Sequence, residues 1–450
     1  MKQLRDYQAA AIASVMPLTG RPLIVLPTGS GKSLVNAHLA ANNFTGQTLC
    51  LTHVRELVQQ NEAEMRALLP EADIGVFCAG LGRKESSNQI VIGSVASVFA
   101  NLERFRGVTE CLIDEAHRVS IYRGKMYRDV LRHLGDIPVC GLTATPFRLG
   151  TGYLHEGEEA FFDRIAYEVK VNDLIAAGYL APLYSTSPEK AQLPTEGLAK
   201  RGGEFTEAAL AELVADYELT AAALRDALTR VDGRKSIWVY ACNVEHAKMI
   251  VRYLRAHGEE AEVIHGELPL HQRDALLARS ISGKLRWLVN VNILTTGANF
   301  PSLDCIVVLR PTASPVLYVQ IYGRGTRTAA GKPFCQILDY CGNVARHGMF
   351  DDPGCGTPRR EPISPCANCG VDFPKAHVAC PLCGAERAKP DVIKPLIKRQ
   401  LAENPKIDTE PHIYPILADG SQWRQVRSWA WKRHESKAGN LCLKITYSSS

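Results

Sequence analysis

Residues 23–33 read Leu-Ile-Val-Leu-Pro-Thr-Gly-Ser-Gly-Lys-Ser, and this stretch decides the fold. Leu23 to Leu26 is a short, wholly apolar run of the kind that forms a buried strand. It passes into a turn carrying Gly29 and Gly31, and a helix is expected to begin near Lys32. A strand, a glycine turn and a helix in that order aim backbone N–H groups and the positive end of a helix dipole at an anion. Thr28, Gly29, Ser30, Gly31, Lys32 and Ser33 are therefore read as a phosphate cradle. Lys32 would reach the β- and γ-phosphates of a nucleoside triphosphate, and the Ser33 hydroxyl would bind Mg²⁺. The general form of this loop has a further glycine where this chain has Leu26.

A second apolar run, Glu110-Cys111-Leu112-Ile113, ends in Asp114-Glu115-Ala116-His117. A strand here would deliver Asp114 to the same Mg²⁺ and Glu115 to an attacking water. The two stretches together predict hydrolysis of a nucleoside triphosphate. His117 is expected to couple this site to Thr143 or Gln320.

The 450 residues are too many for one ordinary core, so two or three domains are expected. An apolar content of 46% and a charged content of 22% describe a globular protein, and no 18-residue apolar stretch predicts a membrane span. The N-terminus shows no signal core, which points to the cytoplasm of a bacterial cell, whether the gene is the host's or a phage's. A net charge of +5 is compatible with nucleic acid without requiring it. The 14 cysteines favour free thiols or metal over disulfides.

Strand-like runs at 48–52 and 89–93, with a helix over 55–69 between them, imply a parallel sheet covered by helices. The division expected is a first α/β domain over 1–165, a connector over 166–205 and a second α/β domain over 206–350. A zinc-binding module follows over 351–395 and a basic module over 396–450. Strands of the second domain are read at 236–240, 261–264, 286–290, 305–309 and 335–339. A helix starting near Leu317 would carry Arg324 and Arg327 on one face.

With these motifs placed, residues 1 to about 345 resemble a superfamily 2 helicase or translocase of the DEAH type, which implies two tandem RecA-like domains. Leu4-Arg5-Asp6-Tyr7-Gln8 resembles the adenine-reading segment, so Arg5 and Gln8 would bind the base of ATP. Stretches 52–57 and 93–98 resemble segments that hold a nucleic-acid strand, and Thr143-Ala144-Thr145-Pro146 the one that links hydrolysis to movement. Thr295-Thr296-Gly297 and Gln320-Ile321-Tyr322-Gly323-Arg324-Gly325-Thr326-Arg327 match the last two motifs, the final one fitting Gln-x-x-Gly-Arg-x-x-Arg in full. The resemblance implies that Gly297 lies at the nucleotide, that Gln320 belongs to the catalytic set, and that Arg324 and Arg327 meet the γ-phosphate. Residues 79–86, 244–248 and the cysteine module look like the bacterial RadD family of DNA repair and recombination. That likeness implies DNA, single-stranded or branched, as partner, and single-strand-binding or recombination proteins as further partners. Related chains carry Asp where this one has Asn299.

Cys366-x2-Cys369-x10-Cys380-x2-Cys383 has the spacing of a structural zinc site. Four thiolates leave no open position, so the Zn²⁺ would supply folding energy rather than catalysis. Beyond it, Trp423, Trp429 and Trp431 lie among arginines and lysines. They either stack single-stranded bases or form the core of a small β module, with Leu441, Leu443, Ile445 and Tyr447 on its next strand. Arg55, Arg83, Lys84 and Thr296 are further expected nucleic-acid contacts. Two alternatives stand beside the DNA reading: an RNA helicase, and a zinc-containing DNA-binding adaptor in which ATP is only a switch.

Overall fold

The computed structural model describes residues 3–42, 46–119, 126–148, 152–157, 160–186, 191–294, 300–350, 363–375 and 377–387, and the backbone of 426–435 and 441–449. Gly297 and Thr296 of the expected nucleotide and strand contacts, and Trp423, lie outside the described residues.

The strands of the first part are β1 (Pro22–Val25), β2 (Gln47–Thr52), β3 (Ile74–Cys78), β4 (Arg83–Lys84), β5 (Ile90–Ser94), β6 (Val108–Asp114) and β7 (Val139–Thr143). A two-stranded ribbon, β8 (Phe147–Arg148) with β9 (Gly152–Tyr153), precedes β10 (Arg164–Glu168). One eight-stranded sheet runs β10-β1-β7-β6-β2-β5-β3-β4, parallel except for β4. Its central strands alternate between two cores. Leu23, Val25, Leu49, Leu51, Cys111 and Ile113 face one layer, and Ile24, Cys50 and Leu112 face the other. Burial on both sides is why these runs are wholly apolar rather than alternating.

The second sheet is built from β11 (Leu183–Thr186), β14 (Ile237–Tyr240), β15 (Ala261–His265), β16 (Trp287–Val291), β17 (Cys305–Val308) and β18 (Cys335–Asp339), after a small ribbon of β12 (Lys200–Arg201) and β13 (Glu204–Phe205). Its order is β11-β18-β17-β14-β16-β15, all parallel. Ile237 and Val239 face one core, and Trp238 and Tyr240 the other. The chain is thus an α/β protein of two tandem RecA-like parallel-sheet domains with a cysteine cluster towards its C-terminus.

Two expectations need correction. Residues 166–205 are not a plain connector. β10 closes one edge of the first sheet and β11 begins the second, with the helix Val171–Ala176 between them. Both are edge strands whose residues are mostly half-exposed, so they lack the apolar run that reveals a central strand. Nor do Arg324 and Arg327 share a helix face. The helix runs Pro315–Tyr322 and is capped at Gly323, which leaves both arginines in the turns beyond it. Gly323 and Gly325 let these turns pack closely, since a Cβ on either would lie 2.6 Å from Thr28 and 2.7 Å from the Cys335 sulfur respectively.

The cysteine module, with β19 (Ile363–Pro365) and β20 (Asp372–Pro374), docks on the β11 edge. Thr186 bridges Val371, and the Tyr184 hydroxyl donates to the Pro381 carbonyl at 3.3 Å. Residues 1–387 form one compact unit and 388–450 a second. In the second unit β21 (Val426–Glu435) and β22 (Leu441–Ser449) pair antiparallel, with Trp429 opposite Tyr447 and Trp431 opposite Ile445. Among the described residues no helix is long and apolar enough to cross a membrane.

Candidate functional site

The phosphate cradle follows β1 directly. Gly29 and Gly31 both stand in the left-handed region, at φ 86° and 83°, where a side chain is strained. A Cβ on Gly31 would also sit 2.6 Å from the Gln8 amide nitrogen. Ser30 is buried, its hydroxyl donating to the Pro27 carbonyl at 2.7 Å, and the helix Lys32–Ala41 starts with Lys32 and Ser33 in its first turn. The Lys32 ammonium makes only long contacts, 3.3 Å to the Leu26 carbonyl and 3.5 Å to that of Pro27. It is loosely held where a phosphate would be gripped.

The segment Leu4–Gln8 packs against this loop. The Gln8 amide donates to the Ser30 carbonyl at 2.9 Å and accepts from the Arg5 N–H at 3.0 Å. Tyr7 donates to the same Ser30 carbonyl at 2.5 Å. Arg5 reaches the Tyr7 hydroxyl at 3.2 Å and lies 4.6 Å over the Tyr179 ring.

β6 delivers the acidic pair. Burial and the neighbouring Glu115 charge raise Asp114 to about 6, against the pull of Lys32 and of Asn61, whose amide stands 3.4 Å away. A half-buried carboxylate whose hydrogen-bond donors, the Asn61 amide and the Glu115 N–H at 2.9 Å, are both neutral suits a divalent cation, so Asp114 and Ser33 fit Mg²⁺. Burial also works against the Glu115 charge, but Lys32, His117, His53 and Arg324 more than offset it and hold its pKa below the usual value. Glu115 itself has φ 53°, a left-handed conformation that a non-glycine residue seldom takes. His117, buried, sets its Nδ1 at 3.2 Å from the Thr143 hydroxyl and 3.3 Å from the Glu115 carboxylate. It therefore joins Glu115 to the stretch Thr143–Pro146.

The second domain contributes the arginines. Arg324 is buried and Arg327 half-buried, and desolvation presses both pKa values down, helped at Arg327 by the charge of Arg324. Arg324 lies close enough to Glu115 to act on its charge. Gln320 is buried on the preceding helix with its amide nitrogen unpartnered. The cleft between the sheets is closed in this structure. The Thr326 hydroxyl reaches the Thr28 carbonyl at 3.0 Å, and Arg273 of the second domain pairs with Glu56 of the first at 3.4 Å.

The structure thus brings together Gln8, residues 28–33, Asp114, Glu115, His117 and the arginine turn. It does not present Arg83 as a phosphate contact. Arg83 is committed to Glu62 at 2.7 Å and to Glu85 at 2.8 Å, because those carboxylates flank it on the helix Arg55–Leu68 and just beyond β4. Arg55 is paired with Glu56 at 2.9 Å, while Lys84 is exposed. Sequence reading missed Asn61, Thr326 and Arg273, all brought in by the fold from positions with no local signal. Tyr7 stood beside Gln8 and could have been found.

The four cysteine sulfurs lie within 4.8 Å of one another, with Cys366 to Cys383 at 3.7 Å and Cys369 to Cys380 at 3.5 Å. Four sulfurs at about 2.3 Å from one tetrahedral Zn²⁺ would stand about 3.8 Å apart, and a disulfide would need about 2.05 Å. The set fits zinc. In each knuckle the glycine N–H donates back to the first cysteine carbonyl at 2.9 Å, from Gly370 and Gly384 at φ 75° and 69°. The Asn368 side chain and the Ala385 N–H lower Cys383 to about 6, towards the thiolate a metal needs.

Residues 1–148 match the family described as type III restriction enzyme, res subunit, and residues 220–329 match the helicase conserved C-terminal domain. The chain is 26% identical over 364 residues to the candidate ATP-dependent helicase IRC3 of Saccharomyces cerevisiae, covering 75% of this chain and 51% of that one. It is 25% identical over 334 residues to a 51.5 kDa protein of a Lactococcus phage, covering 73% and 67%. It spans about half the length of the yeast relative. Among solved structures, a fragment of an HsdR subunit assigned to a type I restriction enzyme of Vibrio vulnificus superposes with a TM-score of 0.57 at 23% identity, over 79% of this chain and 67% of that one. The type ISP restriction-modification enzyme LlaBIII bound to DNA gives 0.56 at 16%, over 75% and 27%. Dbp5 of S. cerevisiae bound to RNA gives 0.54 at 17%, over 79% and 89%. These likenesses show the fold. The two matched helicase domains in tandem give the chain the domain composition of superfamily 2 helicases.

Proposed function

We propose that the chain is a DNA translocase or helicase driven by ATP hydrolysis in the cleft between its two RecA-like domains. The observation that carries this reading is the convergence, across one cleft, of the P-loop, the Asp114–Glu115 pair, the buried Arg324 and the half-buried Arg327. Gln8 and Arg5 hold the base side of the nucleotide, and Lys32 and the loop N–H groups hold its phosphates. Asp114 and Ser33 hold Mg²⁺, which supplies positive charge against the phosphate oxygens. Glu115, kept charged, orients and deprotonates the attacking water, and His117 keeps its carboxylate aligned. Arg324 and Arg327 neutralise charge that grows on the phosphoryl group in the transition state.

DNA is favoured because the first domain matches a restriction-enzyme family and one structural neighbour is held on DNA. The finer resemblance, to the RadD family and its repair role in the bacterial cytoplasm, rests on the residues quoted at 79–86 and 244–248 and on the cysteine module. In this reading Cys366, Cys369, Cys380 and Cys383 hold a structural Zn²⁺. Gripping a strand by its phosphates makes binding salt-sensitive and largely independent of sequence. RNA is the second reading, favoured by the likeness to Dbp5 and by 24% identity over 348 residues to the ATP-dependent RNA helicase DbpA of Escherichia coli.

The test is the rate of ATP hydrolysis with single-stranded DNA, duplex, forked DNA and RNA at several salt concentrations. Stimulation by DNA that weakens as salt rises is expected. Stimulation by RNA alone would replace this reading with the second, and hydrolysis indifferent to both would sink it.

A further inference from the structure

The motif Gln-x-x-Gly-Arg-x-x-Arg leaves the position of Thr326 free, yet this residue is wholly buried at the closest approach of the two domains. Its hydroxyl has one proton and two carbonyls to give it to. One is Thr28 of the P-loop at 3.0 Å, in the other domain, and one is Gly323 in its own turn at 2.8 Å. Its own carbonyl accepts from the Ala181 N–H at 2.6 Å, in the segment that leads from one sheet to the other. The loop opposite is shaped for the contact. A Cβ on Gly29 would lie 3.0 Å from the Thr326 hydroxyl oxygen, and one on Gly323 would lie 2.6 Å from Thr28.

The turn that carries Thr326 is fixed from behind. The half-buried Lys332 ammonium donates to the carbonyls of Gly325 at 2.8 Å, Arg327 at 2.6 Å and Pro301 at 3.2 Å. Two of these flank Thr326, so the turn is tied to the second domain while the hydroxyl reaches across to the P-loop backbone. Because the proton has Gly323 to return to, opening the cleft strands no buried donor. The contact therefore aligns the closed state without locking it.

We propose that Thr326 is a positioning residue for ATP hydrolysis, its hydroxyl hooking the Thr28 carbonyl and so setting the distance from Arg324 and Arg327 to the nucleotide phosphates. This rests on the cleft being the site of hydrolysis. Arginines misplaced by about 1 Å lose about a hundredfold in favourable cases.

The test uses the full chain, with ATP turnover measured with and without single-stranded DNA. Thr326→Val keeps the shape and removes the proton, and Thr326→Ser keeps the proton. Thr326→Val should lower kcat by about tenfold or more with KM within about threefold, and Thr326→Ser should stay within about threefold of wild type. In a background lacking both arginines, Arg324→Ala with Arg327→Ala, followed by single turnovers, Thr326→Val should cost less than about twofold more, since it acts through them. A valine variant with wild-type kcat, a serine variant as impaired as the valine one, or a full additional loss without the two arginines would each overturn the proposal. Thr326→Ala serves if the valine variant does not fold. A wild-type chain that hydrolysed no ATP would overturn the underlying reading of the cleft as well.

Discussion

Asp114 and Glu115 are adjacent, and their surroundings push their acidities apart. Burial and the neighbouring charge lift Asp114 to about 6, while Lys32, His117, His53 and Arg324 keep Glu115 charged. Separation of this kind is how two carboxylates acquire two roles. The left-handed φ of Glu115 turns its carboxylate towards His117 and the cleft, a local strain that the packing around β6 holds in place. His246 shows a different kind of buried histidine. Its Nδ1 accepts from the Cys242 N–H at 3.2 Å and its Nε2 stands 3.2 Å from the Thr220 hydroxyl, an arrangement that needs the neutral ring. Burial lowers its pKa to about 4. A histidine whose folded pKa lies below its unfolded one contributes stability above about pH 6.5, and that contribution is lost as pH falls towards 4. About 2 kcal/mol should be lost between pH 7 and pH 5 through this residue alone. Denaturant unfolding at the two pH values should show that His246→Gln is less acid-sensitive than wild type by about that amount. Equal sensitivity would mean that His246 is not what makes the second domain acid-labile.

At the scale of elements, legibility followed burial. Central strands carry wholly apolar stretches, 22–25 in β1, 49–51 in β2, 111–113 in β6 and 305–308 in β17, because helices cover both faces, and these runs could be read within a residue or two. Edge strands β10 and β11 carry Arg164, Glu168 and Tyr184 among apolar residues and read as connector. The arginine turn was legible as a motif but not as a shape. The close approaches of Gly323 to Thr28 and of Gly325 to Cys335, which the turns pack against, carry no local signal. Arg83 looked free because Glu62, its main partner, is far away in sequence, although Glu85 stood two residues on. The cysteine spacing was fully legible, since two knuckles specify their own geometry. One zinc per chain is expected, bound by Cys366, Cys369, Cys380 and Cys383 and lost in Cys369→Ser. Metal analysis of the purified chain checks the count, and limited proteolysis after chelation checks the role. A module at 363–387 that stayed protected without metal would contradict a structural site, because so short a segment buries few apolar residues of its own.

For the molecule as a whole, the contacts that matter join the two sheets. Thr326 meets Thr28, Ala181 meets Thr326, and Arg273, largely buried, meets Glu56. These contacts close the cleft around the P-loop and bring Arg324 within electrostatic reach of Glu115. The first domain alone holds the contacts expected for base, phosphates and Mg²⁺, and the second supplies what the transition state needs. Binding and chemistry should therefore separate in one variant, Arg324→Ala. The most direct measurement is ATP affinity and DNA-stimulated turnover on that variant, in the same preparation. ATP affinity within about threefold of wild type, hydrolysis reduced by about a thousandfold or more and stimulation by DNA abolished is the predicted result. Normal hydrolysis, or undiminished stimulation by DNA, would show that the second domain does not complete the active site and would contradict the account.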